Sequence, residues 1–371
     1  MSIRFFKGLL WITLCCLTFQ ANAQSQKAYS FFVGTFEGKV GSKGIYKFKL
    51  DSRGQFTSLG LAGRTQNPSY ITFSDDRKFL LSVSLYPSFG PGIVESFLRT
   101  KRGLKPVSKS PTDKAPCFVA VRDNHVLVAN YSGGSTELFK LGPNGKLTHS
   151  LSKEQHEGKG VNNRQEAPHS HSAWFSPDSN VIISPDLGTN HLWFSELNTG
   201  TSTLDPRKQE KLKMKEGAGP RHLAFHPLHS DWIYVVNELD NTISLVKINE
   251  KGKYKVFSSI STLPKNTSGN NVAADIGISS DGKFLYATNR GVSDSIVIYK
   301  INEHSGELTL VGFEDVRGDF PRHFAFSPNE EFIVVANQNS NTLESYKRNK
   351  LTGKLTFTDK IKTPNPTCIL F

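Results

Sequence analysis

Seven short phrases of one shape recur along the chain, roughly 50 residues apart. They are "NPSYITF" (67–73), "APCFVAV" (115–121), "SHSAWFSP" (170–177), "GPRHLAFHP" (219–227), "AADIGISSDG" (273–282), "FPRHFAFSP" (320–328) and "NPTCILF" (365–371). Most are followed by a polar turn and a run rich in β-branched and aromatic residues, such as "HVLVANY" (125–131) or "WIYVVNEL" (232–239). A third run, such as "TISLVKI" (242–248), and a fourth, such as "YKVFSSI" (254–260), complete the unit. Period-two alternation between Gly, Asn and Asp turns predicts strands, and no window reads as a long amphipathic helix. Four short strands repeated at this period describe the blade of a β-propeller.

The seventh phrase ends the chain at Phe371 and has no strands after it. The N-terminal region supplies three: "YSFFVGTF" (29–36), "GIYKFKL" (44–50) and "FTSLGLA" (56–62). The predicted fold is therefore all-β, a seven-bladed propeller with four antiparallel strands per blade. Strands from the N- and C-termini share one blade and close the ring, leaving no open sheet edge. Ahead of it, "MSIRFFK", the apolar "GLLWITLCCLTF" and "ANA" at 21–23 predict a signal peptide over residues 1–23. Residues 24–371 would then form a single exported domain, periplasmic or secreted. With no second long apolar run, no membrane span is expected after the signal is removed.

The chain carries 45 basic and 33 acidic residues, and losing Arg4 and Lys7 with the leader lowers the net charge from +12 to +10. The basic residues are dispersed among acidic ones, which argues against a nucleic-acid footprint and leaves small anions as partners. A monomer is the expected state. Cys117 and Cys368 remain after processing, two blades apart and offset by one residue in the alignment. They are expected to be two free, buried thiols.

In a blade the first strand lines the central channel and the second returns beside it. The start of the first strand and the end of the second thus share the channel mouth. The residues aligned at the first position are Ser69, Cys117, His171, Arg221, Ala274, Arg322 and Thr367. At the second, Asn130, Asp186, Asn237, Asn289 and Asn337 are followed by Tyr131, Leu187, Glu238, Arg290 and Gln338. A scaffold alone would tolerate one small residue throughout, yet these residues are chemically unalike. They predict that His171, Arg221, Glu238, Arg290 and Arg322 converge. Arg322, Gln338, His169, Asp186 and Asn289 are the candidate substrate-binding residues around them. The Asn and Asp side chains are expected to close turns onto nearby backbone amides. Too few carboxylates accompany them for a calcium site, so no metal is assigned. A purely structural alternative is that Glu238 and the arginines tie neighbouring blades together.

At these residues the chain resembles the lactonase-type seven-bladed propellers. That family includes bacterial 6-phosphogluconolactonases of the propeller type and fungal 3-carboxy-cis,cis-muconate lactonizing enzyme. The matching phrases include "PHSHSAWFSPDS" (168–179), "PDLGTNHLW" (185–193), "GPRHLAFHP" and "SSDGKFLYATNRG" (279–291). The resemblance implies a catalytic set of His171, Arg221, Glu238 and Arg290. It implies hydrolysis of a small anionic or sugar-acid lactone without a cofactor. In that reading a neutral His171 activates water, Glu238 orients it, and Arg221 and Arg290 hold the carbonyl or a substrate anion. The alternatives are a lactone-forming cyclase using the same residues and an exported binding propeller.

Overall fold

A computed structural model describes residues 28–37, 41–84 and 91–371, and the leader expected at residues 1–23 lies outside them. The described strands form seven four-stranded sheets. Blades are numbered here by their innermost strands: Pro68–Phe73 (blade 1), Pro116–Arg122 (2), Trp174–Phe175 (3), Pro220–His226 (4), Asn271–Ile278 (5), Pro321–Phe326 (6) and Pro366–Leu370 (7). In blades 1 to 6 the next three strands follow in sequence order. Blade 7 joins the C-terminal strand to Tyr29–Thr35, Gly44–Leu50 and Phe56–Arg64, the closure expected from the repeat.

Each seam between neighbouring blades is filled by its own hydrophobic cluster. Between blades 4 and 5 Trp232, Tyr234, Leu285 and Tyr299 interlock. Blade 7 is held on both sides. Phe31, Val33 and Ile369 pack against Val334 of blade 6, and Phe32, Ile45 and Cys368 pack against Ile71 and Phe73 of blade 1. The ring is therefore sealed by side-chain packing as well as by the antiparallel pairing Val33↔Ile369.

The innermost strands share a local irregularity that positions the site. In blade 4, Pro220 pairs with Asn237 but His222 pairs with Val236, so Arg221 is an extra, bulged residue. The same slip brackets Ser69, Cys117, Arg322 and Thr367 in blades 1, 2, 6 and 7. It includes Ala274 in blade 5, between Ala273↔Asn289 and Ile276↔Ala287. In blade 3 it falls between the bridge Ser170↔Asp186 and the pair Trp174↔Ile183, the interval that holds His171. A bulge bends the strand and re-aims a side chain. Here the seven aligned positions are the bulged ones, so the repeat turns one residue per blade towards the channel.

Five of these strands begin with proline, and the residue before each has a left-handed backbone: Asn67 (φ 46°), Ala115 (φ 53°), Gly219 (φ 66°), Phe320 (φ 66°) and Asn365 (φ 34°). That conformation is costly for Ala and Phe, and residues held in it concentrate at functional sites.

Cys117 and Cys368 are separate thiols. The Cys368 sulfur lies 3.7 Å from the Ile71 carbonyl in the core, but Cys117 is only half-buried, which corrects the expectation of two buried thiols. Its bulge turns it to the channel wall. Among the described residues no helix is long and apolar enough to cross a membrane.

Candidate functional site

A cavity of about 610 Å³ opens at the end of the channel where the innermost strands begin. Its wall includes the bulged residues Cys117, His171 and Arg322, and the strand-end residues Tyr131, Glu238, Arg290 and Gln338. Phe36, Ala115, Val272 and Phe320 add apolar surface, and Arg164 reaches in from the loop between blades 2 and 3.

Glu238 is the charged centre. Its Oε2 lies 2.9 Å from Arg221 Nε and 2.9 Å from Arg290 Nη2, and its Oε1 lies 2.6 Å from Arg164 Nη1. Burial alone would raise its pKa, but Arg290, Arg221 and Arg164 outweigh it and hold the carboxyl well below the usual range. Arg221 also donates to the Ala274 carbonyl at 2.6 Å and Arg290 to the Ala273 carbonyl at 2.9 Å. Arg290 further lies over the Phe320 ring, 4.8 Å from its centroid. The left-handed backbone at Phe320 thus sets a ring against a site cation.

Arg322 is placed differently. It stacks on Phe36 at 5.1 Å and donates to Gln338 Oε1 at 3.2 Å. No carboxylate pairs with it among the described residues. Burial, with Arg221 and Arg290 nearby, pushes its pKa down to about 9. Such a cation is stabilised by an incoming anion.

His171 sits edge-on to Tyr131 and to His222, with ring centroids 5.5 and 5.3 Å away. Its Nδ1 is buried without a hydrogen-bond partner among the described residues. Burial, then Arg221, His222, Arg322 and Arg290, push its pKa well below 6.5, so the ring is neutral at neutral pH.

One layer deeper, His222 Nδ1 lies 2.9 Å from Asp275 Oδ1, and His323 Nε2 lies 3.6 Å from Asp275 Oδ2. Asp275 also accepts from the Phe324 amide at 3.1 Å. Its carboxyl is held low against burial, chiefly by His323 and His222. His222 Nε2 stands 3.3 Å from Arg221 Nη1, so this buried cluster supports the arginine that supports Glu238.

The structure gathers His171, Glu238, Arg290, Arg322 and Gln338 at the cavity wall. Arg221, 2 % exposed, lies beneath it and reaches the site through Glu238. Three candidate substrate-binding residues are displaced, which corrects the sequence expectation. Asp186 is buried against His156 Nδ1 at 2.7 Å and the His169 and Thr189 amides. Asn289 donates to the Thr262 carbonyl at 2.7 Å. His169 stacks behind Tyr131 at 4.4 Å. Side chains alternate along a strand, so Asn289, next to cavity-facing Arg290, turns away from the cavity. The turn-closing role also differs from expectation. Asp186 does bind backbone amides, but Asn130 and Asn237 donate instead to side chains of the third strand, Glu137 and Ser244. Two charged residues of the cavity wall were missed in sequence, Glu37 and Arg164. Arg164 lies in the loop between blades 2 and 3, outside the repeat, where alignment carries no signal.

Comparison with known proteins agrees with this architecture. The family model described as "Lactonase, 7-bladed beta-propeller" matches residues 30–371. A 6-phosphogluconolactonase of Bacillus subtilis is 34% identical over 351 residues, 92% of this chain and 98% of that protein. A 6-phosphogluconolactonase of Formosa agariphila is 32% identical over 333 residues, 87% of this chain and 94% of that protein. The solved structure of a periplasmic gluconolactonase from Pseudomonas aeruginosa superposes with a TM-score of 0.86 at 27% identity, covering 92% of this chain and 98% of that one. With its repeat, ring closure and family match in accord, the chain belongs to the lactonase family of seven-bladed β-propellers.

Proposed function

We propose that the cavity opens a lactone bearing an anionic group, by attack of water on the ring carbonyl. One observation carries this reading: cationic Arg290, Arg322 and Arg164 share a cavity with a neutral histidine and a single buried carboxylate. Water gives its proton to His171 as its oxygen bonds to the carbonyl carbon. Arg290 stabilises the oxyanion that forms, Glu238 holds Arg290 and orients the water, and Arg221 positions Glu238. When the ring C–O bond breaks, the protonated His171 returns its proton to the departing alkoxide, giving the hydroxy acid. Arg322, with Gln338, takes the substrate anion. The step consumes one water and requires neither a nucleophilic side chain nor a metal.

The periplasmic relative and the signal-like leader support export of this chain. An exported enzyme would rarely meet a phosphorylated sugar lactone, a cytoplasmic intermediate, so the substrate anion is proposed to be a carboxylate. The test is proton release by residues 24–371 on gluconolactone, its 6-phosphate and carboxylated lactones, corrected for spontaneous opening. His171→Ala and Arg290→Ala should each lower turnover by about 10²–10³, the usual effect of losing such a group. A flat panel from folded protein would refute hydrolysis of these lactones. Binding of the product acids without turnover would instead identify a binding propeller.

A further inference from the structure

The two oxygens of Glu238 are used unequally. Oε2 is shared by Arg221 and Arg290, whose side chains are 2 % and 4 % exposed and tied to backbone carbonyls. Oε1 meets Arg164, whose side chain is 46 % exposed. The loop backbone around Arg164 is fixed. The Gly160 amide donates to the Gln165 carbonyl at 2.9 Å and the Gln165 amide to the Asn162 carbonyl at 2.8 Å, while buried Gln165 donates to the Leu187 carbonyl at 2.8 Å. The Arg164 side chain, by contrast, is 46 % exposed at the rim. It already has a second partner at the rim, since Nη2 lies 3.1 Å from the Tyr131 hydroxyl.

Oε2 already faces two buried arginines, so the acceptor sites of Glu238 that remain for water lie on Oε1, and Arg164 holds one of them from the cavity side. We propose that Arg164 is a displaceable cap on Glu238 that selects anionic substrates: an incoming anion draws the guanidinium away and frees Oε1. This inference rests on the hydrolase reading above. It makes Arg164 a specificity-determining residue, coupling recognition of charge to exposure of the carboxylate.

The test compares Arg164→Met with the unaltered protein on D-glucono-1,5-lactone and its 6-phosphate, two substrates with the same ring. Loss of one charge-assisted contact should raise KM for the phosphorylated lactone by about 10–100-fold. Removing the cap should at the same time raise kcat for the neutral lactone. Opposite effects on the two substrates are the signature, because a merely structural role would depress both together. Equal losses on both substrates, or no change on either, would overturn the proposal. If Arg164→Met does not fold, Arg164→Lys serves, with a smaller change of the same two signs expected. Affinity for gluconate and 6-phosphogluconate, measured by calorimetry, separates the two levels of inference. Absent turnover and absent binding in the unaltered protein refute the hydrolase reading and the cap with it. Normal turnover with an unaltered affinity ratio in the variant refutes the cap alone.

Discussion

Glu238 and Arg322 face the same cavity with opposite supplies of counter-charge. Glu238 is the counter-charge for three arginines. Breaking a buried ion pair by removing one partner typically costs about 3–5 kcal/mol. Glu238→Gln should therefore abolish turnover and also lower unfolding free energy by about that amount in urea titrations. Arg322 has Gln338 and Phe36 beside it but no carboxylate, and other cations stand nearby. Arg322→Gln should leave stability equal or higher in the same titrations while weakening affinity for anionic product. A cation whose removal stabilises the fold is maintained for a ligand. If Arg322→Gln instead unfolds the protein, the residue serves blade packing. His171 adds a pH signature. Its base form persists below the ordinary histidine range. The acid limb of kcat/KM should accordingly fall below pH 6.5.

At the scale of elements, the repeat made the fold and most of the site legible because one local device recurs. The aligned residues Ser69, Cys117, His171, Arg221, Ala274, Arg322 and Thr367 all mark the bulge of an innermost strand. Position in the repeat therefore stood in for direction in space. The same reasoning misplaced Asn289, which strand pleat sends to the face opposite Arg290, and Asp186, which is engaged by His156 and the His169 and Thr189 amides. Arg164 escaped because its loop belongs to no blade, and the role of Asp275 escaped because it emerges only when blades 4, 5 and 6 bring His222 and His323 to it. Closure gives a prediction at this scale. The last strand, Pro366–Leu370, supplies Cys368 to one seam and Ile369 to the other. Burying one such side chain contributes about 1.5–3 kcal/mol, against a total stability of roughly 5–15 kcal/mol. Ending the chain at Asn365 also leaves the strand Tyr29–Thr35 without its inner partner. Such a chain should lose its cooperative thermal transition and become protease-sensitive throughout. Retention of a sharp transition would show that the ring does not depend on this closure.

For the molecule as a whole, the channel concentrates ionisable groups whose folded and unfolded protonation differ. His171, His222 and His323 are all pushed below 6.5 by burial, with Arg221 adding to each and His222 reaching about 4. Asp275 pulls His222 and His323 the other way without winning, and Arg322 adds to the push on His171 and His323. Above pH 6.5 these rings are neutral in both states and contribute no pH dependence. As pH falls through 6.5 the unfolded chain takes up protons that the folded channel refuses, so stability declines. One such group gives a slope of about 1.4 kcal/mol per pH unit, and several together exceed it. For His222 the decline continues to about pH 4. There the carboxylates add a loss of the same sign. Asp275 and Glu238 have folded pKa values held below 3.8 and 4.5, so the stability they supply is present above those values and disappears as pH falls further. His156, raised above 6.5 by Asp186 and Glu154 against burial, contributes in the opposite sense, gaining stability as pH falls, but it is one ring against three. Urea midpoints should therefore fall from pH 6.5 to pH 4 with a net slope steeper than that of one histidine. His323→Gln should make that slope shallower, because the substituted side chain does not titrate. An unchanged midpoint from pH 6.5 to pH 5 would mean that water reaches the channel and protonates these rings in the folded state. The charge balance assigned to His171 would then need revision, because its neutrality has the same origin.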